Sequence, residues 1–212
     1  YPAAKKLWRV ARPYIEKRLD AQGIKLLYSV PWPPQGIYTK KPLNSAADLK
    51  GTKFRTYSPN TSEFAKQLGA IPTTVQVPEV PQAFLTGLVD AMITSGATGV
   101  DTQAWDYLKY YYDTEAFLPQ NMVIVNKSAF AKLDPAVQRA LMDAAAKAEE
   151  RGWATSAAEN ESYMKTMASK GINVAKPNAK LLGELNAIGA TMAQQWVSKT
   201  GPDAQAILNE LR

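Results

Sequence analysis

An arginine at the end of an apolar, β-rich stretch is the residue of this chain best suited to chemistry on a ligand. It stands in Gly51-Thr52-Lys53-Phe54-Arg55-Thr56-Tyr57, where Arg55 and Tyr57 precede a loop and a predicted helix N-terminus. A guanidinium is a planar fork of N–H donors that matches the two oxygens of a carboxylate. A surface ion pair is the commoner fate of one Arg, so the residue taken alone leaves both readings open. Thr94, Ser95 and Thr98, with Gly96 and Gly99 among them, offer short hydroxyl donors where the backbone can come close. The same residues suit the cap of a helix beginning near Val100. Trp32, set among Pro31, Pro33 and Pro34, and Trp105 offer flat pocket walls or core.

Other chemistries fall away by residue type. The 212 residues contain no His and no Cys, which removes imidazole or thiolate metal sites, Ser-His-Asp triads and disulfides. No GxxxxGK[ST] loop occurs, and Gly96-Ala97-Thr98-Gly99 lacks the GxGxxG spacing. Asp101, Asp106, Asp113 and Glu115 have no Gly-punctuated calcium loop around them, and a solvated acidic face is expected there. No cofactor and no metal are therefore predicted. The net charge of +6 gathers in residues 1–25, with seven Lys or Arg against two acids. There Lys5, Lys6, Arg9, Arg12, Lys17 and Arg18 surround Trp8, Val10, Ala11, Ile15 and Leu19 at helical spacing. That is an amphipathic helix with a solvated basic face, and no nucleic-acid partner is expected. No apolar run approaches the roughly 18 residues of a membrane span. The chain begins at Tyr1, and a signal peptide is expected to have been removed.

The elements that must position Arg55 follow from periodicity and punctuation. After the opening helix, stopped at Gly23, residues 24–30 read as a strand and Ser45 to Asp48 as a capping box for one helical turn. Strands are predicted at 53–57, 73–77 and 89–94. Between them lie a helix capped by Asn60 or Thr61 and another opened by Pro78-Glu79. This rhythm predicts a parallel α/β unit whose ligands bind beyond the carboxyl ends of the strands. Residues 121–126 form a further strand. From Asp134-Pro135 to Lys170 the apolar spacing gives one helix, or two nearly collinear halves bent near Gly152. It is about 50 Å long and should run along two lobes. A short strand at 172–175 and helices at 179–199 and 202–211 complete the chain.

Read together, the segments resemble a known family. Pro42-Leu43, Asp48-Leu49-Lys50-Gly51-Thr52-Lys53-Phe54-Arg55, then Leu68-Gly69-Ala70-Ile71-Pro72-Thr73, Glu79-Val80, Ala83-Phe84 and Gly87-Leu88-Val89-Asp90-Ala91 are similar to blocks of the solute-binding proteins of tripartite ATP-independent periplasmic (TRAP) transporters, the C4-dicarboxylate-binding type. Asn126-Lys127, Phe130, Leu133, Pro135 and Gln138 continue the match.

The resemblance implies a two-lobed periplasmic-binding-protein-like α/β fold with a long helix across both lobes. It makes Arg55 the clamp of a substrate carboxylate and Thr94 a second contact, where many relatives have Asn. A second Arg of some members would fall near Gln35 or Gly36, and its absence argues against a sugar acid held as they hold theirs. The implied binding set is Arg55, Thr94, Ser95, Trp32, Gln35, Tyr57 and Thr98. The family is longer by about a hundred residues at its N-terminus. The chain is therefore expected to lack that portion, with 1–33 and 120–158 the remnant of the N-terminal lobe and 34–119 and 159–212 the C-terminal lobe. Weak ligand binding and self-association would follow, with strands 24–30 and 121–126 left with unpaired edges.

The function so implied is that of a periplasmic receptor, not an enzyme, which hands a small organic acid to the membrane subunits of a TRAP transporter. A rival is an α/β enzyme acting on a carboxylate anchored by Arg55, with Asp90 or Asp101 as general base.

Overall fold

A computed structural model describes residues 1–211. Its first half runs α1 (Pro2–Asp20), β1 (Ile24–Pro31), β2 (Gln35–Thr39), β3 (Lys53–Thr56), α2 (Pro59–Gln67), β4 (Ile71–Thr74), α3 (Val80–Leu85), β5 (Ala91–Ser95) and α4 (Gly96–Asp101). Then follow β6 (Tyr110–Phe117), β7 (Gln120–Asn126), α5 (Lys127–Ala131), α6 (Pro135–Ser169), β8 (Asn173–Ala175), α7 (Ala179–Thr200) and α8 (Pro202–Leu211). The chain divides into two compact units, one of residues 1–32, 118–158 and the chain from 196, the other of 33–117 and 159–195. The expected placement of 159–212 as a whole with 34–119 is thereby corrected: α8 packs on α1, with Ile207 against Val10 and Ala11.

In the first unit, α1 opens on Pro at a first-turn position, where its missing N–H breaks no helical bond, and ends with Lys17 and Arg18 beside the helix C-terminus. Its Trp8 joins Leu26 of β1 and Trp153 of α6 in a small core. Glu149 ties the layers together by accepting from Trp8 Nε1 (3.2 Å), Arg12 Nη1 (3.2 Å) and the Ser29 backbone N–H (2.9 Å). Gly152 does not break α6, which runs uninterrupted for 35 residues. A Cβ at this position would lie 2.5 Å from Val30 Cγ2, so glycine is what lets α6 lie on β1. β1 pairs antiparallel with β7, from Ile24 opposite Asn126 to Pro31 opposite Gln120. Each of these strands therefore has one edge paired, and only the outer edges lack a partner strand among the described residues.

The second unit is built on a six-stranded sheet of order β4-β3-β5-β2-β6-β8. The expected parallel unit is present in β4, β3 and β5, but the sheet is mixed, because β2 runs antiparallel to both β5 and β6. Neither β2 nor β6 was expected, and β7 belongs to the other unit. β4 starts at Ile71, earlier than expected, and α2 is capped by Ser58, whose Oγ accepts from the Thr61 N–H (3.2 Å). Alternation sorts the strands onto two faces. Ile37, Phe54, Ile93 and Tyr112 pack with Leu181 and Leu185 of α7, while Tyr38, Met92 and Tyr111 pack with Val80, Phe84 and Met167.

Candidate functional site

Directly paired residues on neighbouring strands point to the same face. Arg55 pairs with Met92, Met92 with Tyr38 and Tyr38 with Tyr111, so these four form one row across β3, β5, β2 and β6. Phe54 takes the opposite face, and that alternation is what places a guanidinium on this one.

Arg55 is only 1% exposed. Its Nε donates to Val75 O at 2.9 Å, whereas Nη1 and Nη2 are buried and have no hydrogen-bond partner among the described residues. Its Cζ stands 5.1 Å from the centroid of the Tyr57 ring. Burial pulls the guanidinium pKa down from its ordinary value, while Tyr57 and Tyr107 push the other way. The Tyr57 hydroxyl, raised in pKa by burial, donates to Gln35 Oε1 at 3.1 Å, and Gln35 Nε2 donates to Pro33 O at 3.2 Å. Arg55, Tyr57 and Gln35 are therefore brought together. Thr94, buried, pairs with Gly36 on β2, one row nearer the sheet edge where β3 and β5 end.

Ser95 and Thr98 are committed elsewhere in part. Ser95 Oγ accepts from the Thr98 N–H at 3.2 Å and caps α4, and Ser95 O accepts from the Tyr38 hydroxyl at 3.0 Å. Trp32 falls in the first unit, where its backbone N–H donates to Pro119 O (2.7 Å) and its side chain is largely exposed. Trp105 is half-buried against the cluster around Tyr38 and Met92. Asp90 precedes β5, at the opposite end of that strand from Ser95, and pairs with Lys40 at 3.5 Å; Asp101 is exposed at the end of α4.

The expected solvated acidic face is corrected at Asp113. Its side chain is only 14% exposed, and its Oδ2 takes Lys176 Nζ at 2.6 Å, an ammonium that also reaches Glu115 Oε1 at 2.8 Å. Sequence reasoning missed Tyr111 and Tyr38 altogether and gave Asp113 only as part of a solvated face, because these residues lie on β2 and β6. The run Tyr110-Tyr111-Tyr112, aromatic and β-favouring, was the available signal. Among the described residues no group of three Asp or Glu side chains is gathered to hold a metal ion.

The family model described as bacterial extracellular solute-binding protein, family 7, matches residues 5–199. A Bordetella pertussis extracytoplasmic solute receptor binding pyroglutamic acid, DctP7, is 56% identical and superposes with a TM-score of 0.95 over 100% of this chain and 70% of its own. A marine metagenome TRAP solute binding protein specific for pyroglutamate is 38% identical, with a TM-score of 0.93 over 100% of this chain and 69% of its own. The sialic acid-binding periplasmic protein SiaP of Vibrio cholerae is 29% identical over 143 residues, which are 66% of this chain but 44% of that protein. The chain thus spans less than half of this curated relative and about seven-tenths of the two solved receptors.

Proposed function

Because the chain belongs to the family 7 bacterial extracellular solute-binding proteins, we propose that it captures a small organic acid in the periplasm and delivers it to the membrane subunits of a TRAP transporter, catalysing no reaction. The observation that carries this reading is Arg55, whose buried Nη1 and Nη2 have no hydrogen-bond partner among the described residues. A charge withdrawn from water is costly unless it is paired, and a carboxylate offers two oxygens to the two Nη groups. Thr94 supplies a hydroxyl one row away, Tyr57 and Gln35 fix the guanidinium's flank, and Ser95 and Thr98 hold the start of α4 beside it.

The ligand we favour is a compact cyclic monocarboxylate of the pyroglutamate kind. Three solved receptors described as binding or specific for this acid are 56%, 46% and 38% identical to the chain. The absence of an Arg at Gln35 or Gly36 also speaks for a ligand with one carboxylate. Self-association of the 212-residue chain belongs to the same proposal. It is supported by Met122, Val123 and Ile124 of β7, 37%, 39% and 49% exposed beside an outer strand edge.

The test is mass spectrometry of small molecules released from the purified natural protein, followed by calorimetry with the acid identified. Arg55→Lys should weaken binding at least tenfold, because a point charge cannot reproduce the fork. Equal affinity of the two proteins would overturn the assignment.

A further inference from the structure

Arg55 is not the only buried group on its sheet face with polar atoms left over. Apart from Asn160 on α6, the buried side-chain polar atoms without a hydrogen-bond partner among the described residues are Arg55 Nη1 and Nη2, Tyr111 Oη and Asp113 Oδ1. Tyr111 ends the row that Arg55 begins, and Asp113, two residues on along β6 where the register with β2 shifts, lies close enough to the Tyr111 hydroxyl to act on it electrostatically. Folded proteins leave few such atoms unpaired, and three such residues in one sheet call for a common cause.

The Tyr111 ring leans toward the same sheet edge as Thr94. A Cβ on Gly36 would lie 2.5 Å from Tyr111 Oη, so the hydroxyl rests over the Gly36 backbone, and Gly36 is the residue paired with Thr94. Only glycine leaves room for it. Tyr111 is 0% exposed, and burial, with Asp113 and Glu115 nearby, drives its pKa far above the ordinary phenol value. The hydroxyl is thus a permanent donor. Asp113 is an acceptor of a particular kind: Lys176 neutralises it through Oδ2, which leaves Oδ1 to accept a further hydrogen bond.

We propose that Tyr111 and Asp113 read the non-carboxylate end of the ligand, Tyr111 Oη donating to a carbonyl and Asp113 Oδ1 accepting from the adjacent N–H of a cyclic amide. A ring amide presents its N–H and C=O on one edge, a donor beside an acceptor, and this pair is its complement. The arrangement also selects against dicarboxylates, whose second carboxylate brings only acceptor oxygens and leaves Asp113 Oδ1 without a donor. The inference rests on Arg55 binding the carboxylate, as proposed above.

Calorimetry on the natural protein with pyroglutamate, cyclopentanecarboxylate and glutarate separates the two ideas. The wild type should bind pyroglutamate at least tenfold more tightly than either other acid. Tyr111→Phe, which keeps the ring packing, should weaken pyroglutamate roughly tenfold and leave cyclopentanecarboxylate unchanged. Asp113→Asn should narrow the gap between pyroglutamate and glutarate. Unchanged pyroglutamate affinity in Tyr111→Phe, or equal losses for pyroglutamate and cyclopentanecarboxylate, would overturn the pairing while leaving Arg55 in place. Failure of all three acids to bind the wild type would overturn the carboxylate reading and this inference together.

Discussion

Replacing Arg55 by methionine should abolish ligand binding and at the same time make the ligand-free protein more stable. Arg55 is 1% exposed, with two buried Nη groups lacking partners, and each unsatisfied buried group costs about 1–3 kcal/mol. Methionine removes about 2–6 kcal/mol of such penalty and fills a similar volume with a flexible apolar side chain. Against this stands the loss of the Nε bond to Val75 O at 2.9 Å, which leaves that carbonyl unpaired at a cost of about 1–3 kcal/mol. The contact of Cζ with the Tyr57 ring at 5.1 Å is lost too, at about 0.5–2 kcal/mol. At the middle of these ranges the balance favours Arg55→Met by about 1 kcal/mol, in line with the behaviour of buried charges replaced by apolar residues. For a domain of this size that is a rise in Tm of roughly 2–4 °C. Differential scanning fluorimetry with and without the acid reads both effects: the ligand-free midpoint should rise, and the ligand-induced shift should vanish. A lower ligand-free midpoint together with a preserved ligand shift would refute the reasoning, since Arg55 would then be a structural residue satisfied by the fold.

Other expectations concern the frame. Glu149→Leu strips the acceptor from Trp8 Nε1, Arg12 and the Ser29 N–H at once, and should destabilise by about 3 kcal/mol in urea denaturation. Gly152→Ala should cost about 1–3 kcal/mol by the same measurement, because its Cβ would lie 2.5 Å from Val30 Cγ2. The Asp48 carboxyl pKa is lowered by the Asn44 and Ser45 backbone N–H groups. Its contribution is present above the unfolded carboxyl pKa of about 3.9 and is lost as pH falls through the lower folded value, so NMR titration should find its midpoint below that of a free Asp. Lys176 has its pKa raised by Asp113 and Glu115. Its contribution holds below the unfolded pKa and fades as pH climbs through the folded one, and Lys176→Met should remove that alkaline dependence from the unfolding midpoint.

The parts of the molecule legible in its sequence are those set by local rules. α1 and α6 announce themselves by long apolar stripes, the first stopped at Gly23 and the second opened at Asp134-Pro135; Arg55 stands out because an Arg closing an apolar strand needs an explanation. The parts that escaped are those set by pairing. β2, the stretch Gln35-Gly36-Ile37-Tyr38-Thr39, is buried on both faces, so it shows no alternation. It follows a proline run and contains a glycine, all of which read as loop. β6 likewise begins in a triple tyrosine whose two outer members face one way and whose middle member faces the other. Ser95 and Thr98 could not be divided between cap and ligand from sequence, because both roles ask for the same hydroxyl chemistry.

The missed strands bear directly on the site. Without β2 and β6 the Arg55 row stops at Met92, and the sheet can present a carboxylate clamp but nothing to tell one acid from another. With them it gains a glycine that only Tyr111 explains and a carboxylate, Asp113, already neutralised by Lys176. Capture of an anion needs one strongly attractive group, the role proposed above for Arg55. Choice among anions needs groups that the wrong ligand leaves unpaired or repels, and such groups come from strands far apart in sequence. Binding should therefore survive changes on β6 with its selectivity altered, whereas changes at Arg55 should remove binding of every acid alike.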